Sequence, residues 1–102
     1  MVRITKSIAE SWLGEVPQEE QFWCKDKRIL KSLPELSVAL KQMDEETFRF
    51  HSNENRNDFS NWVRDVIGDE KLCRDLLKST TRAQAIKSVD GRVVWLKSKI
   101  EA

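Results

Sequence analysis

Glycine is scarce in this chain of 102 residues: Gly14, Gly68 and Gly91 are the three present, and none falls in a G-x-G-x-x-G or P-loop pattern. A phosphate cradle built from a glycine loop is therefore excluded. No D-x-D-x-D-G run exists, which removes an EF-hand. There is one histidine, and the two cysteines, Cys24 and Cys73, form no C-x-x-C pair. A structural zinc site needs four nitrogen or sulfur ligands, so no metal site and no cofactor is expected. Nothing suggests secretion, and the two thiols read as small buried side chains rather than a disulfide. No apolar run approaches the roughly 18 residues of a membrane span. The opening Met1-Val2-Arg3-Ile4-Thr5-Lys6-Ser7 lacks the apolar core of a signal peptide. The expectation is a cytoplasmic protein without membrane association. An excess of one charge is missing too. Eighteen Lys and Arg oppose 17 Asp and Glu for a net charge of +1, which neither draws nor repels nucleic acid as a whole.

What is present is a periodic apolar pattern: hydrophobic residues make up 39% of the chain and charged residues 34%. Length and periodicity fit one compact domain with a short arm. Residues 1–20 form the arm and an acidic connector. Ile4, Ile8 and Trp12, four apart, share a face of a short helix ending near Gly14, and Glu15–Glu20 follows as the connector. Residues 21–102 read as a single helical domain. Phe22-Trp23-Cys24 and Arg28-Ile29-Leu30 flank Lys25-Asp26-Lys27, which suggests a β-hairpin without the usual glycine.

Helices come next. Ser32 caps one that carries Pro34 in its first turn, Glu35 at the capping-box position, and Leu33, Leu36, Leu40 and Met43 on one stripe. Asp44 caps a second, anchored by Phe48. After a polar loop with Asn53, Asn55 and Asn57, either Asn57 or Asp58 caps a third, with Phe59, Trp62, Val63, Val66 and Ile67 on its apolar face. Gly68 stops it and Asp69 starts a fourth, whose buried side is Leu72, Cys73, Leu76 and Leu77. Ser79-Thr80-Thr81 opens the last, with Ala85, Ile86, Val89, Val93, Leu96 and Ile100 inward; a rival reading turns at Asp90-Gly91 and makes Arg92–Leu96 a strand. The fold class is mainly α, a compact bundle of short helices with one small hairpin near residues 22–30.

Phe48 and His51, then Asn57-Asp58-Phe59-Ser60 with Trp62, then Gly68-Asp69 with Leu72 form a signature that resembles a small domain found in archaeal and some bacterial proteins. Its pattern is F-x-x-H, a polar loop, N-D-F-(S/A)-x-W and G-(D/E)-x-x-L, and the resemblance spans roughly residues 22–90. It implies a compact helical module without an assigned activity, standing alone or appended to larger enzymes. Cys73 occupies a position where that family usually has Ala.

His51, Asn57, Asp58 and Trp62 carry two readings. A catalytic one has Asp58 orienting His51 as a proton carrier. It lacks a nucleophile on a sharp strand-to-helix turn, since Ser60 has no such setting. The structural one has His51 bonding the end of its own helix or the asparagine loop, with Asn57 and Asp58 capping the next helix and Trp62 in the core. The structural reading is preferred, and no enzyme activity is expected.

Function then falls to the ends of the chain. Four tryptophans are many for so small a domain, so at least one stays half-exposed for partner contact. Ile8 and Trp12 of the arm, or Trp95, would dock a protein partner or a second copy. Alternatively, residues 71–102 hold eight Lys and Arg against three acids. Arg82, Arg92, Trp95, Lys97 and Lys99 would then grip phosphates and stack a base in nucleic-acid binding.

Overall fold

The computed structural model describes residues 3–101. Six α-helices occur among them, α1 Lys6–Leu13, α2 Leu33–Gln42, α3 Glu45–His51, α4 Asp58–Trp62, α5 Glu70–Lys78 and α6 Arg82–Glu101, together with the antiparallel strands β1 Phe22–Trp23 and β2 Ile29–Leu30. The architecture is mainly α with one small hairpin, as the patterning predicts. No helix among the described residues is long and apolar enough to cross a membrane.

Local chemistry sets the helix starts. Thr5, Ser32, Asp44, Asn57 and Asp69 each accept a hydrogen bond from the backbone N–H three residues on, which satisfies a donor that has no partner within the helix. At Ser32 the box is shifted by one residue, because the Glu35 carboxylate takes the N–H of Lys31 rather than that of Ser32. The hairpin forms without glycine because Lys27 itself adopts the left-handed conformation, at φ 76°. The Lys27 N–H closes a turn onto the Cys24 carbonyl, and Asp26 accepts the N–H of Arg28. A three-residue loop that ends left-handed matches the right-handed twist of the flanking strands.

The core is contributed by every helix. Leu33, Leu36, Leu40, Phe48, Phe59, Val63, Leu72, Leu76, Val89 and Leu96 are all buried. α6 is the central strut, packed against α1, α2 and α5. It is one unbroken helix, so the strand reading of Arg92–Leu96 is corrected. Helical packing of Val89, Val93 and Leu96 outweighs the weak propensity of Gly91. Nothing lies within 4 Å of a Cβ placed on Gly91. Gly91→Ala is therefore expected to stabilise the protein by about 1 kcal/mol, read as a melting temperature about 4–8 °C higher.

Two further expectations are corrected. Leu77 is exposed, because the inward side of α5 is filled by Leu72, Cys73 and Leu76. The stretch after Trp62 is not α-helical either. Val63–Ile67 widens into a π-helical turn that ends at Gly68, whose φ of 95° is left-handed. The N–H groups of Gly68 and Asp69 both converge on the Val63 carbonyl. Both thiols are buried and unpaired, and burial pushes the Cys24 thiol up from its ordinary range.

Asp90 joins α6 to α2 through the Ser37 hydroxyl and, at 2.7 Å, the Lys41 ammonium. The hydrogen bond from Lys41, and then that from Ser37, hold its carboxyl below the usual carboxylate range. A lowered value in the folded state contributes stability above the unfolded value of about 4, and this is lost as pH falls through the folded one. Both side chains are well exposed, so the contribution stays below about 1 kcal/mol. Asp90→Asn should lower the urea midpoint at neutral pH, with the difference from the parent shrinking as pH falls below the ordinary carboxylate range.

Candidate functional site

The polar signature lies at the junction of the hairpin, α3 and α4. His51 closes α3 with its ring buried. Its Nε2 accepts the backbone N–H of Lys25 at 2.9 Å, and its Nδ1 meets Asp58 Oδ2 at 2.9 Å. Nε2 must offer a lone pair to that N–H, so the proton sits on Nδ1 and the ring is neutral. Asp58 is also paired with Arg56 at 2.9 Å. The ring is edge-on to Phe22, with centroids 5.1 Å apart, and 5.4 Å from Phe59. The expectation that His51 bonds its own helix end or the asparagine loop is corrected: it reaches across to the hairpin turn and forward to α4. Asp58 does not cap α4. Asn57 does, through Ser60 N–H, and its amide NH2 also donates to the Leu76 carbonyl of α5. Trp62 is buried, with Nε1 donating to the Glu20 carbonyl of the connector at 2.8 Å. Both imidazole nitrogens are thus engaged in holding segments together.

The basic stripe expected on α6 divides into separate sites. Arg82 pairs with Glu45 at 3.2 Å and donates to the Leu40 and Lys41 carbonyls, closing the C-terminus of α2. Arg92 is buried. It forms a two-pronged pair with Asp69, Nε to Oδ2 at 2.6 Å and Nη2 to Oδ1 at 3.0 Å. Its guanidinium lies 4.5 Å from the Trp95 ring centroid and 5.9 Å from that of Trp12. Both guanidinium groups are thus engaged by acceptors within the chain. Lys97 is exposed on another side of α6 from Trp95 and Lys99. Two steps along a helix turn the side chain by more than half a circle.

The arm lies on its own chain. Ala9 is its fully buried residue, in the column beside the expected Ile4–Ile8–Trp12 stripe. Ile4, Trp12 and Leu13 pack against the core. Trp12 is half-buried beside Arg92 and Gly68. Ile8 is half-buried as well. Of the three docking residues expected from the sequence, Trp95 alone is exposed, at 37%.

A different apolar surface stands out. Phe22 and Leu30 pair across the hairpin and face inward; Trp23 and Ile29 pair beside them and face outward. Trp23 is 71% exposed and Ile29 41%. Ile29 also lines a shallow groove of about 500 Å³ with Arg28, Pro34, Glu35 and Val38, and Val38 is 51% exposed. Trp23, Ile29 and Val38 therefore form one outward apolar face across the hairpin and α2. In the sequence, the alternation Phe22-inward, Trp23-outward was the available signal, but two-residue strands leave the phase of that alternation undetermined.

Among the described residues, no group of three His, Cys, Asp or Glu side chains is placed to hold a metal ion. No protein-family model matches the chain, and neither a curated protein nor a solved structure matches it.

Proposed function

We propose that this chain is a non-catalytic interaction module that docks a protein partner or a second copy of itself through the Trp23–Ile29–Val38 face. The observation that carries this reading is the exposure of Trp23 opposite Ile29 on the outer side of the hairpin. Large aromatic side chains dominate binding energy at interfaces, and clustered exposed apolar residues mark docking surfaces. The central signature supports the reading indirectly. His51 clamps the turn that follows Trp23, so the aromatic is carried on a hairpin held rigid from behind. A pre-ordered anchor loses less entropy on docking.

A photo-reactive amino acid at position 23 tests this, with one at position 97 as control. Adducts with a defined protein, or a dimer by sedimentation, should form from position 23 and not from 97. Trp23→Ser should abolish the dimer or adduct. It should change stability by no more than about 0.5 kcal/mol, as for other exposed positions. A protein that stays monomeric and cross-links no better from 23 than from 97 would refute the proposal.

A further inference from the structure

On the other side of the molecule, the segment Arg3-Ile4-Thr5-Lys6 and the α6 residues Trp95 and Lys99 enclose a groove of about 570 Å³. That lies within the ~300–1,000 Å³ typical of small-molecule sites. Among the described residues, three cations line it and no carboxylate does. Elsewhere several surface cations are paired with carboxylates, Arg28 with Asp26, Lys41 with Asp90, Arg49 and Arg82 with Glu45, Arg64 with Asp65, Lys71 with Asp75, and others, such as Lys27, Lys78 and Lys97, are unpaired among the described residues but do not line this groove. Among the described residues, Arg3, Lys6 and Lys99 take part in none of the ion pairs. Lys99 instead rests over the Trp95 indole, its ammonium 4.8 Å from the centroid. α1 also begins here. Thr5 Oγ1 takes the Ile8 N–H, while the N–H groups of Lys6 and Ser7 belong to the first turn and have no partner within the helix.

We infer that this groove binds a phosphorylated nucleoside, either free or as a unit of a single nucleic-acid strand. Arg3, Lys6 and Lys99 meet the phosphate, where charge-assisted hydrogen bonds are stronger than a cation–aromatic contact. Lys99 turning to the phosphate uncovers part of the Trp95 ring, and the base lies against it. The site is independent of the Trp23 face. It is also smaller than the α6 stripe expected from the sequence, because Arg82, Arg92 and Lys97 have no part in it.

Amide and indole NMR at low salt tests the inference, with ATP, inorganic phosphate and a 5′-phosphorylated oligothymidylate as probes. ATP or the oligonucleotide should saturably shift the Trp95 indole N–H and the Lys6 and Ser7 amides, with inorganic phosphate at least tenfold weaker. Lys6→Glu with Lys99→Glu, folded by circular dichroism, should raise Kd at least tenfold, whereas Lys97→Glu should change it less than twofold. Tighter binding of the oligonucleotide, with a logarithmic salt slope of about −0.7 for each phosphate contacted, would identify a strand as the source. Equal or tighter binding of ATP would identify the free nucleotide. Absence of saturable shifts at millimolar ATP and oligonucleotide would overturn the inference. So would Lys97→Glu weakening binding as much as the double variant, or inorganic phosphate binding as tightly as ATP.

Discussion

Arg92→Met is expected to lower stability by about 3–5 kcal/mol, the usual consequence of stranding one member of a buried ion pair. Asp69 has no solvent exposure, and its two carboxylate oxygens are engaged by the Arg92 guanidinium. Oδ1 also accepts the Leu72 N–H that opens α5. Methionine fills much of the arginine stem's volume but leaves the carboxylate charge without a partner in a dry site. Adding Asp69→Asn removes the stranded charge while keeping an oxygen for the α5 cap. The double variant should therefore recover more than half of the loss. Urea denaturation of the parent, both single variants and the double variant measures the coupling directly. A loss below about 1 kcal/mol for Arg92→Met would be the behaviour of an exposed pair and would contradict this burial. A binding assay on an Arg92 variant therefore has to be accompanied by a stability measurement.

His51→Ala is expected to cost about 2–4 kcal/mol, combining a cavity among Phe22, Phe50 and Phe59 with the loss of two hydrogen bonds. His51→Phe separates the two contributions. It keeps an aromatic ring in the site but leaves the Lys25 N–H and the Asp58 carboxylate without their imidazole partner. Phe should restore the packing share and leave about 1–3 kcal/mol unrecovered, the net contribution of one neutral and one carboxylate hydrogen bond at part-buried groups. Thermal melts of the three proteins check this. A melting temperature for His51→Ala within 2 °C of the parent would remove the clamp role and return the imidazole to consideration as a chemical group.

Much of the architecture can be read from short-range chemistry. Ser32, Asp44, Asn57, Asp69 and Gly68 mark boundaries by what their own side chains, or lack of one, do to adjacent N–H and C=O groups, and such signals survive without tertiary context. The stripes of α2 and α6 are legible because a helix long enough to repeat its face declares its period. The failures occur where a partner distant in sequence decides. Arg92 looks like any surface cation until Asp69, 23 residues earlier, is known to face it. His51 is read as a local cap, while its actual partner, the Lys25 N–H, lies 26 residues away. In α1, eight residues are too few to show which of two adjacent columns, Ile8 or Ala9, turns inward. The Trp23 face is hidden for the same reason: strands of two residues carry no alternation to read.

The packing of α1 on α6 also sets the order in which the molecule can be completed. α1 is made well before α6, the helix it packs against. At eight residues it is too short to hold its shape in water unaided. At ribosomal speeds of about 5–20 residues per second, it waits several seconds for its template. During that interval the hairpin and the middle helices can assemble, but the Lys6–Lys99 side of the molecule does not yet exist. The groove on that side therefore forms only after α6 has been made, whereas Trp23 and Ile29 belong to a hairpin closed within residues 22–30.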